Sequence, residues 1–228
     1  MGRWTAERWA ASSGIAFAIT LVVCQFLAGT TPPHYNASSD KIVAFLDGHH
    51  NALVAQGILG GVLIVLFLWF LSSFAGMYRE AGQNGLATIM YGSGVAIVGL
   101  LAVADSINLG LVQLHGSMDG GTVAAFYGIS MFVSLKLLWG AAALALACSI
   151  ATHRSHVLPE LYSVLTLCGS LVFVLGGLSI RMHGFFSPAG AMVWIALLTF
   201  AGWVFVSSWL CMQKHAVHSH AMSPAHSH

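Results

Sequence analysis

The chain has 228 residues, 57% of them hydrophobic and only 7% charged, with a mean hydropathy of +0.82. A soluble domain carries about 25% charged residues, so the composition excludes an ordinary soluble domain and places the chain among membrane proteins. A net charge of +1 supplies no basic field for nucleic acid.

A membrane-crossing helix needs about 20 mostly apolar residues. Six stretches qualify: span 1 at Trp9–Ala28, span 2 at Ala52–Phe74, span 3 at Leu86–Leu114, span 4 at Thr122–Ile150, span 5 at Leu161–Ile180 and span 6 at Ala189–Met212. Spans 3 and 4 are longer than a bilayer requires, so they tilt or extend beyond the hydrocarbon. Span 1, with Arg3 and Arg8 before it, also has the layout of a signal peptide. The further spans downstream make a retained first helix the better reading. Cys24, Cys148, Cys168 and Cys211 lie in or beside apolar stretches without a CxxC pair. They read as small buried residues, not as a disulfide framework or a zinc knuckle.

Between spans 1 and 2, Thr31-Pro32-Pro33 stops the first helix, since proline lacks the needed donor. Ser38 or Ser39 then caps a short helix, with Asp40 in its first turn. Ile42, Val43, Phe45 and Leu46 make it amphipathic, so it lies on the membrane surface or over the bundle mouth. Gly48 ends it. Arg3, Arg8, Arg79, Arg154 and Lys214 flank one membrane face, and only Lys41 and Arg181 the other. That asymmetry puts both termini in the cytoplasm and the amphipathic helix in the first outer loop. Trp4, Trp9, Trp69 and Trp209 then fall near the inner interface, and Tyr35, Tyr127 and Trp194 near the outer one. The expectation is an all-α bundle of six transmembrane helices over residues 1–212, multi-pass in the plasma membrane. A disordered His-rich tail over residues 213–228 follows, with loose metal affinity at most.

Small residues recur along the spans: Gly57 and Gly61; Ala102, Ser106 and Gly110; Gly140; Gly176 and Gly177. Such residues let helix backbones approach closely in lipid. No internal repeat is evident, which weakens an inverted-repeat transporter.

Asp105 and Lys136 are the charges set deepest in apolar sequence. An intramembrane carboxylate costs on the order of 3 kcal/mol and should face the bundle interior. Asp105, Asn108, Val112 and His115 share one helix face by their spacing. Counting rise from the loop between spans 3 and 4 separates Asp105 and Lys136 by about 5–8 Å in depth. An ion pair between them is therefore expected, either fixing helix register or forming the base of a relay or ligand pocket. Gln25, Gln56 and Gln113 add polar groups in the outer half, with Gln56 joining the intramembrane polar site. His34, His49, His50, His115 and His183 gather on the same side. Of these, His49, His50, His115 and His183 are candidate transition-metal ligands, set against the plainer reading of scattered interfacial histidines. Paired intramembrane histidines for haem are lacking. No GxSxG, HExxH, phosphate-binding loop or GxGxxG motif stands in a usable context, so no cofactor is implied and no catalytic residue is assigned.

Thr31-Pro32-Pro33, the Ser38–Leu46 helix, His49-His50 and Phe67-Leu68-Trp69-Phe70-Leu71 together resemble uncharacterised bacterial multi-span membrane proteins of actinobacterial type, known only as domains of unknown function. The resemblance covers mainly the first half of the chain. It implies a six-span bundle in a bacterial plasma membrane and no activity. Three roles remain: a small permease-like or ligand-binding bundle with an outward-facing polar cavity around Asp105 and Lys136; an accessory subunit of a membrane complex; and a metalloenzyme using the outer histidines. The expected partners are the lipid bilayer, a small-molecule or ion ligand, and a membrane-protein partner.

Overall fold

A computed structural model describes residues 6–27, 32–180 and 184–221, excepting the side chains of 6–8 and 215–221. It is all helical, with no strand among the described residues. The helices are α1 (Ala6–Phe26), α2 (Ser39–Gly48), α3 (His50–Glu80), α4 (Asn84–Leu114), α5 (Gly120–Ser155), α6 (Glu160–Gly177) and α7 (Ala191–Ala221). Six of them are long and apolar enough to cross a membrane. α2 is the short exception, joining α1 to α3. α5 has 36 residues. At 1.5 Å per residue it is about 54 Å long, well beyond the hydrocarbon thickness of about 30 Å. α7 stays helical to Ala221, across the first part of the His-rich tail. His226 and His228 lie outside the described residues, as do Arg3, Trp4, Arg181 and His183.

The six long helices form a closed ring in chain order. Each packs on the next, and α7 returns to pack on α1. Hydrophobic burial cannot drive this association, because lipid is as apolar as the helix faces. Close approach and hydroxyl groups do it instead. Cβ atoms added at Gly140 and Gly176 would sit 2.7 Å from Ile97 Cγ1 and 2.8 Å from Ala196 Cβ. Gly61 and Gly110, which have the same small-residue spacing, have nothing within 4 Å of an added Cβ. Spacing alone therefore did not separate contact glycines from open ones. Serine hydroxyls stitch several seams: Ser13 donates to the Leu66 carbonyl at 3.0 Å, Ser170 to Ala142 at 2.9 Å, and Ser208 to Ala11. Ser149 and Ser163 donate to each other's carbonyls.

The middle of the ring is filled by aromatic rings. Phe67, Phe70, Phe74 and Tyr78 run up one face of α3 and meet Phe17, Phe200 and Trp203 from α1 and α7. At the end away from α2, a buried network continues the column. Tyr78 lies 2.6 Å from Thr152 Oγ1 and 3.5 Å from Cys148 Sγ, and Tyr162 joins Cys148 to Ser207. That end is closed. Cys24, Cys148 and Cys211 are buried, whereas Cys168, read as buried from sequence, faces outward.

α2 lies across the ends of α4 and α5. Ile42 and Leu46, one turn apart, are buried against Leu111, Val112, Val123 and Tyr127. Ser38 takes the N-cap position, but its side chain makes no capping bond. Asp119 does cap α5, accepting from the Thr122 amide at 3.0 Å and its hydroxyl at 2.6 Å. These bonds, the hydroxyl one first, hold the Asp119 carboxyl below the usual carboxylate range. This cap fixes where α5 starts, and hence the register of the α5 face described next.

Candidate functional site: a cavity around Asp105

The α2 half of the ring is hollow. A cavity of about 420 Å³ lies between the helices, and every helix except α6 contributes to its wall. Asp105 projects into it from α4, with Asn108 and Val112 along the same face. Beside it, α3 presents Gln56 one turn from Gly60. An added Cβ at Gly60 would overlap the Asp105 carboxylate. Glycine thus lets that carboxylate rest directly on the α3 backbone. Among the described residues, the Asp105 carboxylate has neither a hydrogen-bond nor an ion-pair partner.

Tyr127, Ser130 and Ser134 form the α5 wall at i, i+3 and i+7. Their hydroxyls are spent on backbone: Tyr127 donates to Pro33 at 2.8 Å, Ser130 to Tyr127 at 2.9 Å and Ser134 to Ser130 at 2.9 Å. Tyr127 is therefore part of the cavity wall. Gln56 donates through Nε2 to the Cys24 carbonyl on α1, next to Gln25. Val193, Leu197 and Phe200 bring one face of α7, with Trp194 beside them. Phe17 and Phe200 meet edge to face with centroids 6.1 Å apart and separate the cavity from the aromatic column. Phe45 and Leu46 of α2, with Pro32, cover the other end.

Asp105, Asn108 and Gln56 are thus brought together around one space. Lys136 is not part of it. It is exposed on a row with Phe132, Leu146 and Ile150, facing away from the cavity. The expected Asp105–Lys136 ion pair is not formed. The depth estimate addressed height but not azimuth, and Leu135 and Leu138 take the inward positions instead.

His115 also leaves the cavity, since it sits on the single 3-10 turn that follows α4. Its Nε2 is 2.8 Å from Asp47 Oδ1, and its Nδ1 is 3.0 Å from the Leu111 carbonyl. Both nitrogens face acceptors, an arrangement that suits a ring with two N–H donors. The contact ties the end of α2 to the end of α4. Asp47 is 65% exposed, so the pair contributes about 0.2–1 kcal/mol. A double-mutant cycle with Asp47→Asn and His115→Gln, read by thermal unfolding in detergent, should return a coupling in that range. Additive effects would mean that the two side chains do not hold α2 down.

The candidate metal ligands are not gathered. His49 stacks on Phe45 at 4.7 Å and bonds its carbonyl at 2.9 Å, His50 is exposed, and His115 is engaged by Asp47. Among the described residues no three His, Cys, Asp or Glu side chains stand together as a metal site. His183 is outside that set. Tyr127, Ser130 and Ser134 also belong to the polar wall, and their i, i+3, i+7 spacing along span 4 is legible in the sequence. Gly60 carried no such signal, because its role depends on a carboxylate 45 positions away.

No family model, curated protein or solved structure matches the chain. The cavity is therefore interpreted from its own chemistry.

Proposed function

We propose that this chain is a small permease-like or ligand-binding protein of the plasma membrane, not an enzyme, and that the cavity around Asp105 is its binding site. In this reading both termini are cytoplasmic and α2 covers an outward-facing mouth. The Lys and Arg asymmetry of the loops supports that orientation. One observation carries the reading: a part-buried carboxylate with no partner among the described residues lines a cavity inside the bundle. An intramembrane carboxylate without a partner is costly, and such residues mark ligand or ion paths. The cavity volume of about 420 Å³ lies within the usual range for ligand sites. The aromatic column beyond Phe17 and Phe200 supports access from one side only.

Lys136 favours a second reading, an accessory subunit. A lysine on the outward row of α5 would be neutralised by an acidic side chain of a membrane partner at the same depth.

Thiol labelling in intact cells tests the first reading. Asn108→Cys should react with a membrane-impermeant maleimide applied from outside, above the background of the wild-type chain. Labelling only in inverted vesicles would reverse the orientation. Labelling from neither side would remove the accessible cavity.

A further inference from the structure

We propose that the cavity selects a lipophilic organic cation: an ammonium group seated on Asp105, carrying an apolar body that fills the rest of the space. The proposal rests on the cavity being a binding site and names the ligand class for it.

Charge is the first argument. Among the described residues, the lining contains one carboxylate and no lysine, arginine or histidine. Lys136, the counter-ion expected from the sequence, faces the other way. A monocation would therefore balance the wall, whereas an anion would meet an unopposed like charge in a medium that screens it poorly.

Hydrogen-bond polarity is the second argument. The hydroxyls of Tyr127, Ser130 and Ser134 have already donated their protons to carbonyls, so they offer the cavity lone pairs only. Gln56 spends one of its two Nε2 N–H groups on Cys24 and keeps its carbonyl oxygen as an acceptor. With the Asp105 carboxylate, these groups make a wall rich in acceptors. The amides of Asn108 and Gln25, the second N–H of Gln56, the weakly donating Cys24 thiol and the indole of Trp194 add donors. An ammonium group supplies N–H donors and positive charge together.

Shape is the third argument. Most of the remaining lining is aliphatic or aromatic, with Phe17, Phe45, Phe200 and Trp194 among it. An inorganic ion would lose its water there without enough oxygen ligands to replace it. An organic cation carries its own apolar surface, and aromatic faces attract its charge.

The test uses three probes with one body: 4-phenylbutylammonium, 4-phenylbutanol and 4-phenylbutyrate. Binding to the purified full-length chain in detergent is followed by titration calorimetry. The ammonium should bind at least tenfold tighter than the alcohol, and the carboxylate more weakly than either. Asp105→Asn should bring the ammonium down to the level of the alcohol, while Lys136→Leu leaves the order unchanged. Equal binding of ammonium and alcohol, preference for the carboxylate, or no binding of any probe overturns the proposal, as does full ammonium binding by Asp105→Asn. Wild-type selectivity decides the matter alone should Asp105→Asn fail to fold. If Asn108→Cys is labelled from outside yet the ammonium shows no preference, the cation assignment fails and the cavity reading stands.

Discussion

Gly60→Ala will displace the Asp105 carboxylate, and it should weaken binding of the ammonium probe at least tenfold. The added methyl occupies the volume in which that carboxylate now sits. Relief must come from a rotamer change at Asp105 or from separation of α3 and α4. Overpacking of this kind costs about 1–3 kcal/mol. Gly61→Ala is the matched control. Its added Cβ meets nothing within 4 Å, and alanine is the better helix former, so stability and binding should hold or rise slightly. Thermal unfolding and titration of the two variants side by side give the answer. If Gly60→Ala matched Gly61→Ala in both, the carboxylate would not lie on α3.

Phe74→Ala should be the most damaging single truncation in the ring interior, costing about 3 kcal/mol, the lower end for a buried phenylalanine. Phe74 is fully buried, stacked on Phe70 at 5.2 Å and edge-on to Tyr78 at 5.4 Å and Trp203 at 5.8 Å. The lower end is expected because a phenyl ring gains little by leaving lipid for protein. What disappears is packing, and each aromatic pair contributes about 0.5–1.5 kcal/mol beyond area. The void would also loosen Tyr78 and its hydrogen bonds to Thr152 and Cys148. Phe126→Ala, on the outward face of α5 at 43% exposure, should change stability by less than about 0.5 kcal/mol. Unfolding in mixed micelles compares the pair. Equal losses would mean that the aromatic column does not hold the ring together.

The contrast between Asp105 and Lys136 shows what the sequence could carry. Both spans were legible from length and hydropathy. Asp105, Asn108 and Gln56 were placed on one site because polar residues in a span must turn inward unless something outside receives them. The same rule placed Lys136 inward, and there it failed. α5 is apolar nearly all round, so its hydrophobic pattern does not say which face meets the bundle. A lysine also has a long stem that lets the charge leave the depth of its own Cα, so an outward position is less prohibitive than for an aspartate. The short helix at Ser39–Gly48 was legible because its apolar residues keep a 3.6-residue period. That it stands over a cavity depended on Tyr127 and Val123, distant positions that local pattern does not connect. Likewise, Phe67, Phe70 and Phe74 read as ordinary span residues until Phe17 and Phe200 arrive from the two ends of the chain.

The seam between α1 and α7 sets an order on biosynthesis. The Ser208–Ala11 hydrogen bond joins positions 197 residues apart, and Phe200, half of the barrier beneath the cavity, belongs to the last helix. During translation the first five long helices can associate while α1 still has an open flank. Until α7 enters the bilayer, the hollow around Asp105 lacks its Val193, Leu197 and Phe200 wall and admits lipid chains. Closing the ring is thus the event that both completes the fold and walls off the cavity. A nascent chain stalled before Ala191 would leave the Asp105 side chain without that wall.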